Sequence, residues 1–137
     1  MDVTSAINRI QALWLTVPGV RAAPNEPPDK LDPFPIAVTF ERTGALDVSD
    51  MYSGTFSKQT GTIWSELHVL RTDLARAVRM AMTFRNALLD TLRDDPTLNN
   101  NVMLITAIRW TFGPLQWNGI DTTGYRFEID VVLELTQ

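Results

Sequence analysis

Few side chains in this sequence could carry out acid–base chemistry. His68 is the only histidine among 137 residues, and there is no cysteine. A disulfide framework, a thiolate metal site and a cysteine nucleophile are therefore excluded. Ser65 and Glu66 stand close to His68, but we interpret them as neighbours in sequence rather than as partners assembled by the fold. A structural or surface role for His68 is therefore favoured over that of a general base.

Asp94 and Asp95 form an adjacent pair of carboxylates directly before Pro96. Acidic side chains at the end of a helix are usually solvated, so the pair is interpreted as a helix terminus. The sequence contains no calcium-loop spacing, phosphate-binding loop, dinucleotide fingerprint or nucleophile elbow. It therefore predicts no catalytic residue, no cofactor and no metal.

Arginine and tryptophan side chains remain as candidates for contacts with other proteins. Arg76 and Arg79 fall on the polar side of a predicted helix, which favours a solvated face or a salt-bridging subunit interface over a phosphate-binding face. Trp110 and Trp117 are hard to place inside one small core. We expect these four residues at an interface, although a second internal layer explains the tryptophans almost as well.

The longest regular pattern lies at 124–137, where apolar and polar side chains alternate. Successive side chains of an extended chain point to opposite faces, so this pattern predicts a long strand with one buried face. A shift of one residue would expose the apolar side chains, so the pairing register is firmly specified.

Apolar residues at helical spacing predict two helices. The first begins at a cap provided by Thr4 or Ser5 and ends near Leu15. The second begins at Asp73, which is predicted to cap it, and ends at Asp94 because proline follows. The apolar stripe of the second helix has Arg85 at its margin.

The remaining regular elements are strands. Alternating patterns predict them at 36–41, 62–70 and 102–112, and Gly113-Pro114 and Asn118-Gly119 bracket a predicted bend before the last strand. The order helix, strand, strand, helix, strand, strand predicts an α+β fold, with a mostly antiparallel sheet packed against two helices on one face.

Two irregular stretches complete the single predicted domain, 1–137. The stretch 18–35 contains six prolines and is expected to be either a loop over the surface or an interaction arm. The stretch 42–61 is poor in large apolar residues and is expected to be either a long β-hairpin or a mobile loop.

The composition excludes several classes of function. The hydrophobic content of 45% is ordinary for a globular protein, and the net charge of −4 leaves no basic reservoir for clamping nucleic acid. No apolar run approaches the roughly 20 residues that span a bilayer. The first residues lack the features of a signal peptide, and the absence of cysteine fits a reducing cytoplasm.

Two quoted stretches carry a resemblance to a known family. A strand leads directly into a helix at WSELHVLRTDLARAV (64–78), and the alternating strand GYRFEIDVVLEL occupies 124–135. With a short first helix, a proline-rich segment and a long excursion before them, the chain resembles the tail terminator and tail-completion proteins of long-tailed bacteriophages.

The resemblance implies a non-enzymatic structural protein of the virion, assembled in the host cytoplasm. Its copies would form a sixfold ring that caps the tail tube and joins it to the head connector. The implied partners are other copies of the chain, the tail tube protein and a head-completion or connector protein, with no membrane. DNA would pass through the lumen without specific binding.

Within such a ring, we assign hypothetical roles to two segments and two acidic residues. The stretches 18–35 and 42–61 would reach a neighbouring subunit or the tube, and Asp47 and Asp50 would contribute to an acidic lumen wall along which DNA slides. Two alternatives remain: a head-completion or adaptor protein one layer higher in the neck, and a small enzyme or ligand-binding domain around Arg109, Trp110 and Trp117.

Overall fold

A computed structural model describes residues 2–51, 54–70 and 74–136. Two helices and four strands follow one another as α1 (Val3–Thr16), β1 (Ile36–Met51), β2 (Gly54–Val69), α2 (Leu74–Arg93), β3 (Leu104–Trp117) and β4 (Ile120–Thr136). The strands form one antiparallel sheet in the order β1-β2-β4-β3. Both helices pack against one face of it, which confirms the predicted α+β fold.

The main core lies between the helices and the buried face of β4, as the alternating pattern predicted. Five side chains of β4 are buried on this face: Tyr125, Phe127, Ile129, Val131 and Leu133. Trp14 of α1 packs edge-on against Phe127, with the ring centroids 5.7 Å apart. Helix α2 buries a stripe that includes Ala81, Phe84, Leu88 and Leu92.

Helix α1 is capped by Asp2, one of whose carboxylate oxygens accepts a hydrogen bond from the backbone N–H of Thr4. Neither Thr4 nor Ser5 is therefore the cap, and that prediction was wrong. Asp2 takes the role because its side chain precedes the first helical residue and reaches a backbone N–H that has no partner within the helix. The predicted cap of α2, Asp73, lies outside the described residues.

Strands β1 and β2 form a hairpin that continues far beyond the two short strands predicted from sequence. The pairing runs from Ile36 opposite His68 to Met51 opposite Gly54. Of the two alternatives for 42–61, the hairpin is therefore correct and the mobile loop is wrong. Strand β2 also pairs with β4 as far as Ser57. The distal part of β2 is therefore held by hydrogen bonds to strands on both sides, although its side chains from Ser57 to Thr60 are not buried.

Strand β3 passes through Gly113-Pro114, where the sequence predicted a bend. Proline lacks an N–H group and is tolerated on an edge strand, and β3 is one edge of the sheet. The chain turns instead at Asn118-Gly119, whose φ angles of 49° and 80° are those of a type I′ turn. The predicted bend at Asn118-Gly119 is thus a tight hairpin turn.

The stretch 18–35, hereafter the proline-rich strap, is a packed layer rather than a free arm. Ala22 forms a parallel bridge with Ile36, and the strap then crosses the face of the sheet opposite the helices. There Leu31, Ile36 and Val38 are buried against a group of partly buried side chains, which are Ala22, Phe34, Phe40 and Trp117. Trp117 thus packs in a second layer on this face, which was one of the two alternatives for the tryptophans.

The strap is tied to the β3–β4 turn by hydrogen bonds. Trp117 donates from Nε1 to the carbonyl oxygen of Pro28 at 2.7 Å, and Asn118 donates from Nδ2 to that of Asp29 at 2.9 Å. We expect Trp117→Phe, which keeps an aromatic ring and removes the donor, to lower the free energy of unfolding by about 1 kcal/mol. Urea unfolding would measure this change, and limited proteolysis would show faster cleavage within 18–35.

The matched control is Trp110→Phe. The indole of Trp110 is 41% exposed, and no hydrogen bond of its side chain is described. We expect its unfolding midpoint to stay close to that of the unaltered protein. Equal losses in the two variants would contradict an anchoring role for the Trp117 hydrogen bond.

Candidate functional site

The outer edge of β1 is the most prominent exposed surface of the described residues. All residues from Glu41 to Val48 are exposed, and the Leu46 and Val48 side chains are each 64% exposed. Strand β1 ends the sheet order, so no strand of the described residues lies beside its outer backbone groups past Ala37. An exposed edge strand that carries large apolar side chains is typical of a surface that pairs with another chain.

The pairing register shows which way these side chains point. A Cβ atom added at Gly61 would meet the side chains of Leu133 and Val131, so that position faces the helices. Gly44 is directly opposite Gly61, and Leu46 and Val48 follow Gly44 at intervals of two. Leu46 and Val48 therefore lie on the helix side of the sheet, beyond the part that the helices cover.

The two predicted lumen residues both lie in the distal half of β1. Asp47 is exposed and stands opposite Lys58 in the register. Asp50 pairs with Thr55, and its side chain lies outside the described residues. The acidic lumen wall remains a prediction.

The other four predicted interface residues are spread over the molecule. Arg76 and Arg79 are exposed on α2, Trp110 is exposed at the β3 edge, and Trp117 is partly buried beneath the strap. Trp110 and Trp117 also lie on opposite faces of the sheet, since they are seven residues apart in one strand. The structure does not gather the predicted residues into one surface.

Arg85 is an interface candidate that the sequence analysis did not single out. Its guanidinium carbon lies 5.3 Å from the ring centroid of Trp110, and its Nη2 donates to Asn86 Oδ1 at 2.6 Å. Its Nε atom is buried and has no hydrogen-bond partner among the described residues. A buried donor without a partner is costly. The available signal was an arginine at the margin of an apolar helix stripe.

Beside Arg85 and Trp110 lies an open groove, hereafter the α2–β3 groove. It runs between α2 and the edge strand β3, and its principal lining residues are Leu89, Leu92, Pro96, Ile105, Ile108 and Trp110. Its walls are mainly apolar and reach solvent, which suits an extended segment of another protein better than a small enclosed ligand.

The acid–base residues meet on the opposite face, under the strap. His68 Nε2 lies 3.2 Å from Glu66 Oε1, and His68 Nδ1 lies 2.5 Å from Thr122 Oγ1. Arg126 donates from Nε to Glu66 Oε2 at 2.7 Å. Glu66 is thus a partner of His68, and the expectation that the two are only neighbours in sequence was wrong. Residues two apart in a strand share a face.

The protonation of this cluster follows from its hydrogen bonds. Burial acts to raise the pKa of the Glu66 carboxyl, but hydrogen bonds and charge interactions with His68 and Arg126 outweigh it, so that pKa lies below its ordinary value of 4.5. An ionised carboxylate only accepts, so His68 Nε2 carries the proton in its hydrogen bond to Glu66. The other ring nitrogen, Nδ1, lies within hydrogen-bond distance of the Thr122 hydroxyl.

This order of hydroxyl, imidazole and carboxylate is the one found in acyl-transfer triads. Here, however, all three members are enclosed, with exposed fractions of 1% for Thr122, 0% for His68 and 2% for Glu66. The ring of Trp117 packs edge-on against the imidazole at 6.4 Å. Thr122 thus presents almost no surface to a substrate, and the cluster ties β2 to β4. The surface alternative for His68 was wrong.

Two further carboxylates are held by arginines. Asp130 accepts two hydrogen bonds from Arg109, at 2.7 and 3.1 Å, which lower the pKa of its carboxyl despite partial burial. Asp95 accepts from Arg9 Nε at 2.8 Å and so links α1 to the turn after α2. Asp94 is exposed, as expected, but Asp95 is not simply solvated.

Neither a metal site nor a membrane helix is found in the part of the chain that the structure describes. No group of three or more His, Asp or Glu side chains among the described residues could hold a metal ion. Neither described helix is long and apolar enough to cross a bilayer. No protein-family model matches the chain, and no curated protein matches it.

Proposed function

We propose that this protein is a structural subunit of a bacteriophage tail, a tail terminator whose copies form a sixfold ring. The ring caps the tail tube at its head-proximal end and provides the surface that joins the head connector. The protein works through repeated contacts between subunits and does not catalyse a reaction. Its place of action is the virion.

One observation supports the proposal most directly: the two edge strands of the sheet, β1 and β3, present different surfaces. The β1 edge presents exposed Leu46 and Val48, whereas the β3 edge presents Trp110 beside the α2–β3 groove. A ring of identical subunits needs two different patches that fit each other and close by rotation. A two-fold dimer would instead use one self-complementary patch.

The charge of the molecule is compatible with a channel for DNA. The net charge is −4, and exposed Asp47 lies on the distal part of the hairpin. Binding of duplex DNA requires neutralisation of its phosphates by cations. An acidic wall therefore favours passage over retention, in keeping with a lumen that does not bind DNA specifically.

The test uses the purified full-length chain and tail tubes of the phage that encodes it. Light scattering across a range of protein concentrations should show a monomer in equilibrium with one closed oligomer. Added during tube assembly, the protein should stop elongation and appear by electron microscopy as a cap on one end of each tube.

Tailless heads separate this function from that of a neck adaptor. If the protein binds head connectors and leaves tube growth unchanged, the terminator assignment is wrong and the adaptor assignment replaces it. Tubes that lengthen normally and heads that remain unoccupied would contradict both assignments.

A further inference from the structure

We infer that the β1 edge of one copy docks into the α2–β3 groove of the next copy, so that the sheets join edge to edge. The inference rests on the proposed ring and names the two surfaces that form it. The donor surface is the helix-side face of β1, with Glu41, Leu46 and Val48. The acceptor surface is the α2–β3 groove together with Arg85.

The directions of the two edge strands fit this pairing. Neighbouring strands are antiparallel throughout the order β1-β2-β4-β3, so β1 and β3 run in opposite directions at the two ends of the sheet. A second copy placed beside β3 by rotation about a ring axis presents a β1 strand antiparallel to β3. The joined strands can then form an antiparallel ladder across the interface.

Both edges limit where the ladder can form. On β3, the N–H of Ile105 already donates to the carbonyl oxygen of Pro96, and Pro114 has no N–H to offer. On β1, the N–H of Ala37 donates to the carbonyl oxygen of Ala22 in the strap. The available segments are therefore 106–113 of β3 and 38–51 of β1, and Leu46 and Val48 fall within the latter.

Apolar surfaces match across the proposed interface. Leu46 and Val48 face the helix side, and the groove that would receive them lies on that side of β3, walled by Leu89 and Leu92. Each exposed aliphatic side chain gains roughly 1.5–3 kcal/mol when it is fully buried. Mutual burial gives each surface a partner that the described residues of a single chain do not provide.

The charges of the donor and acceptor surfaces are also complementary. Arg85 stacks on Trp110 with its Nε donor unpartnered among the described residues. Glu41 is exposed and lies on the helix side of β1, where its Oε1 atom would be 3.0 Å from a Cβ atom at Gly44. When Leu46 and Val48 enter the groove, Glu41 supplies a carboxylate from the same face. Among the described residues no carboxylate accepts a hydrogen bond from Arg85, and Glu41 would supply one.

The first test removes the apolar donor side chains. Leu46→Ser with Val48→Ser should weaken self-association by at least about tenfold, since a loss of about 1.4 kcal/mol changes an equilibrium constant tenfold. Sedimentation velocity over a concentration series measures the association midpoint. The matched control, Leu15→Ser with Ile120→Ser, removes two other exposed apolar side chains and should leave that midpoint unchanged.

The second test exchanges charges. Arg85→Glu alone and Glu41→Arg alone should each weaken association, and the chain that carries both should recover most of it, because the pair is restored with reversed sign. Arg79→Glu combined with Glu41→Arg is the control and should not recover, since Arg79 lies on the exposed side of α2. Circular dichroism confirms folding of each variant.

The outcomes separate this inference from the proposed function. If the unaltered protein forms rings and caps tubes while the Leu46/Val48 variant associates equally well, the interface is wrong and the ring stands. If the protein remains a monomer at every concentration and also in the presence of tubes, both are wrong. If Arg85→Glu fails to fold, the Leu46/Val48 variant decides whether the interface is correct, because it changes only exposed side chains.

Discussion

Gly124→Ala should strongly destabilise the folded protein. A Cβ atom at this position would lie 1.7 Å from the carbonyl oxygen of Leu67 and 2.9 Å from its carbonyl carbon. The clash is with backbone of the neighbouring strand β2, so no side-chain rotation relieves it. We expect a loss of at least about 3 kcal/mol in the free energy of unfolding, at the upper end of overpacking effects. Urea unfolding measures this loss.

Gly113→Ala provides a control at the position that pairs with Gly124 across the sheet. Gly113 stands directly opposite Gly124 in the β3–β4 register, and a Cβ atom added there meets nothing within 4 Å. Its free energy of unfolding should stay unchanged or rise by up to about 1 kcal/mol, because alanine restricts the unfolded chain. Similar losses in the free energy of unfolding of the two variants would show that any side chain at this pair of positions is destabilising. That result would contradict the argument from the close approach of Gly124 to β2.

Glu66→Gln should destabilise the protein at neutral pH and weaken its response to acid. The carboxylate of Glu66 is buried and accepts hydrogen bonds from His68 and Arg126. Replacing it by an amide removes the charge, which should lower the free energy of unfolding by about 2 kcal/mol. Equilibrium unfolding at a series of pH values measures both effects.

The sign of the acid response follows from the lowered pKa of Glu66. The unfolded chain takes up the proton near the ordinary pKa of 4.5, whereas the folded chain takes it up at a lower pH. Between these values the unfolded state binds more protons, so the stability from Glu66 is present above pH 4.5 and is lost as the pH falls through the folded pKa. The variant should therefore lose less stability in this range than the unaltered protein.

The control for this pair of effects is Glu26→Gln. Glu26 is an exposed glutamate in the strap, so its removal should leave both the stability and its pH dependence close to those of the unaltered protein. Asp130 also has a lowered pKa and gives every variant some acid response. Parallel stability–pH curves for the Glu66 variant and the unaltered protein would contradict the assigned role of Glu66.

The elements that bury one face could be predicted from the sequence. The elements without a buried face could not be predicted. Strand β4 and helix α2 each hide one stripe of apolar side chains, which leaves a period of two or of 3.6 residues in the sequence. The distal half of the β1–β2 hairpin is exposed from Glu41 to Val48. Backbone hydrogen bonds support it, and they leave no side-chain pattern, so this half looked equally like a loop.

The parts of the candidate sites come from distant places in the sequence. Thr122 reaches His68 from 54 residues away, and the strap binds Trp117 from 89 residues away. Arg85 and Trp110 meet only because β3 forms the sheet edge beside α2. Residue types alone indicated interface anchors but did not indicate their partners. Arg85 is a stronger interface candidate than Arg76 or Arg79 because it contacts Trp110. That contact depends on the tertiary fold.

The sheet order has a consequence for synthesis of the protein. Strand β4 is the last of the four strands in the sequence, yet it lies between β2 and β3. While the ribosome is still making β3, the only described strands that can pair are β1 and β2, and a two-stranded ribbon is marginally stable in water. The nascent chain therefore carries exposed Leu46 and Val48 on an unsupported ribbon until β4 emerges. Folding then proceeds largely through distant contacts, which makes it slow for a chain of this size.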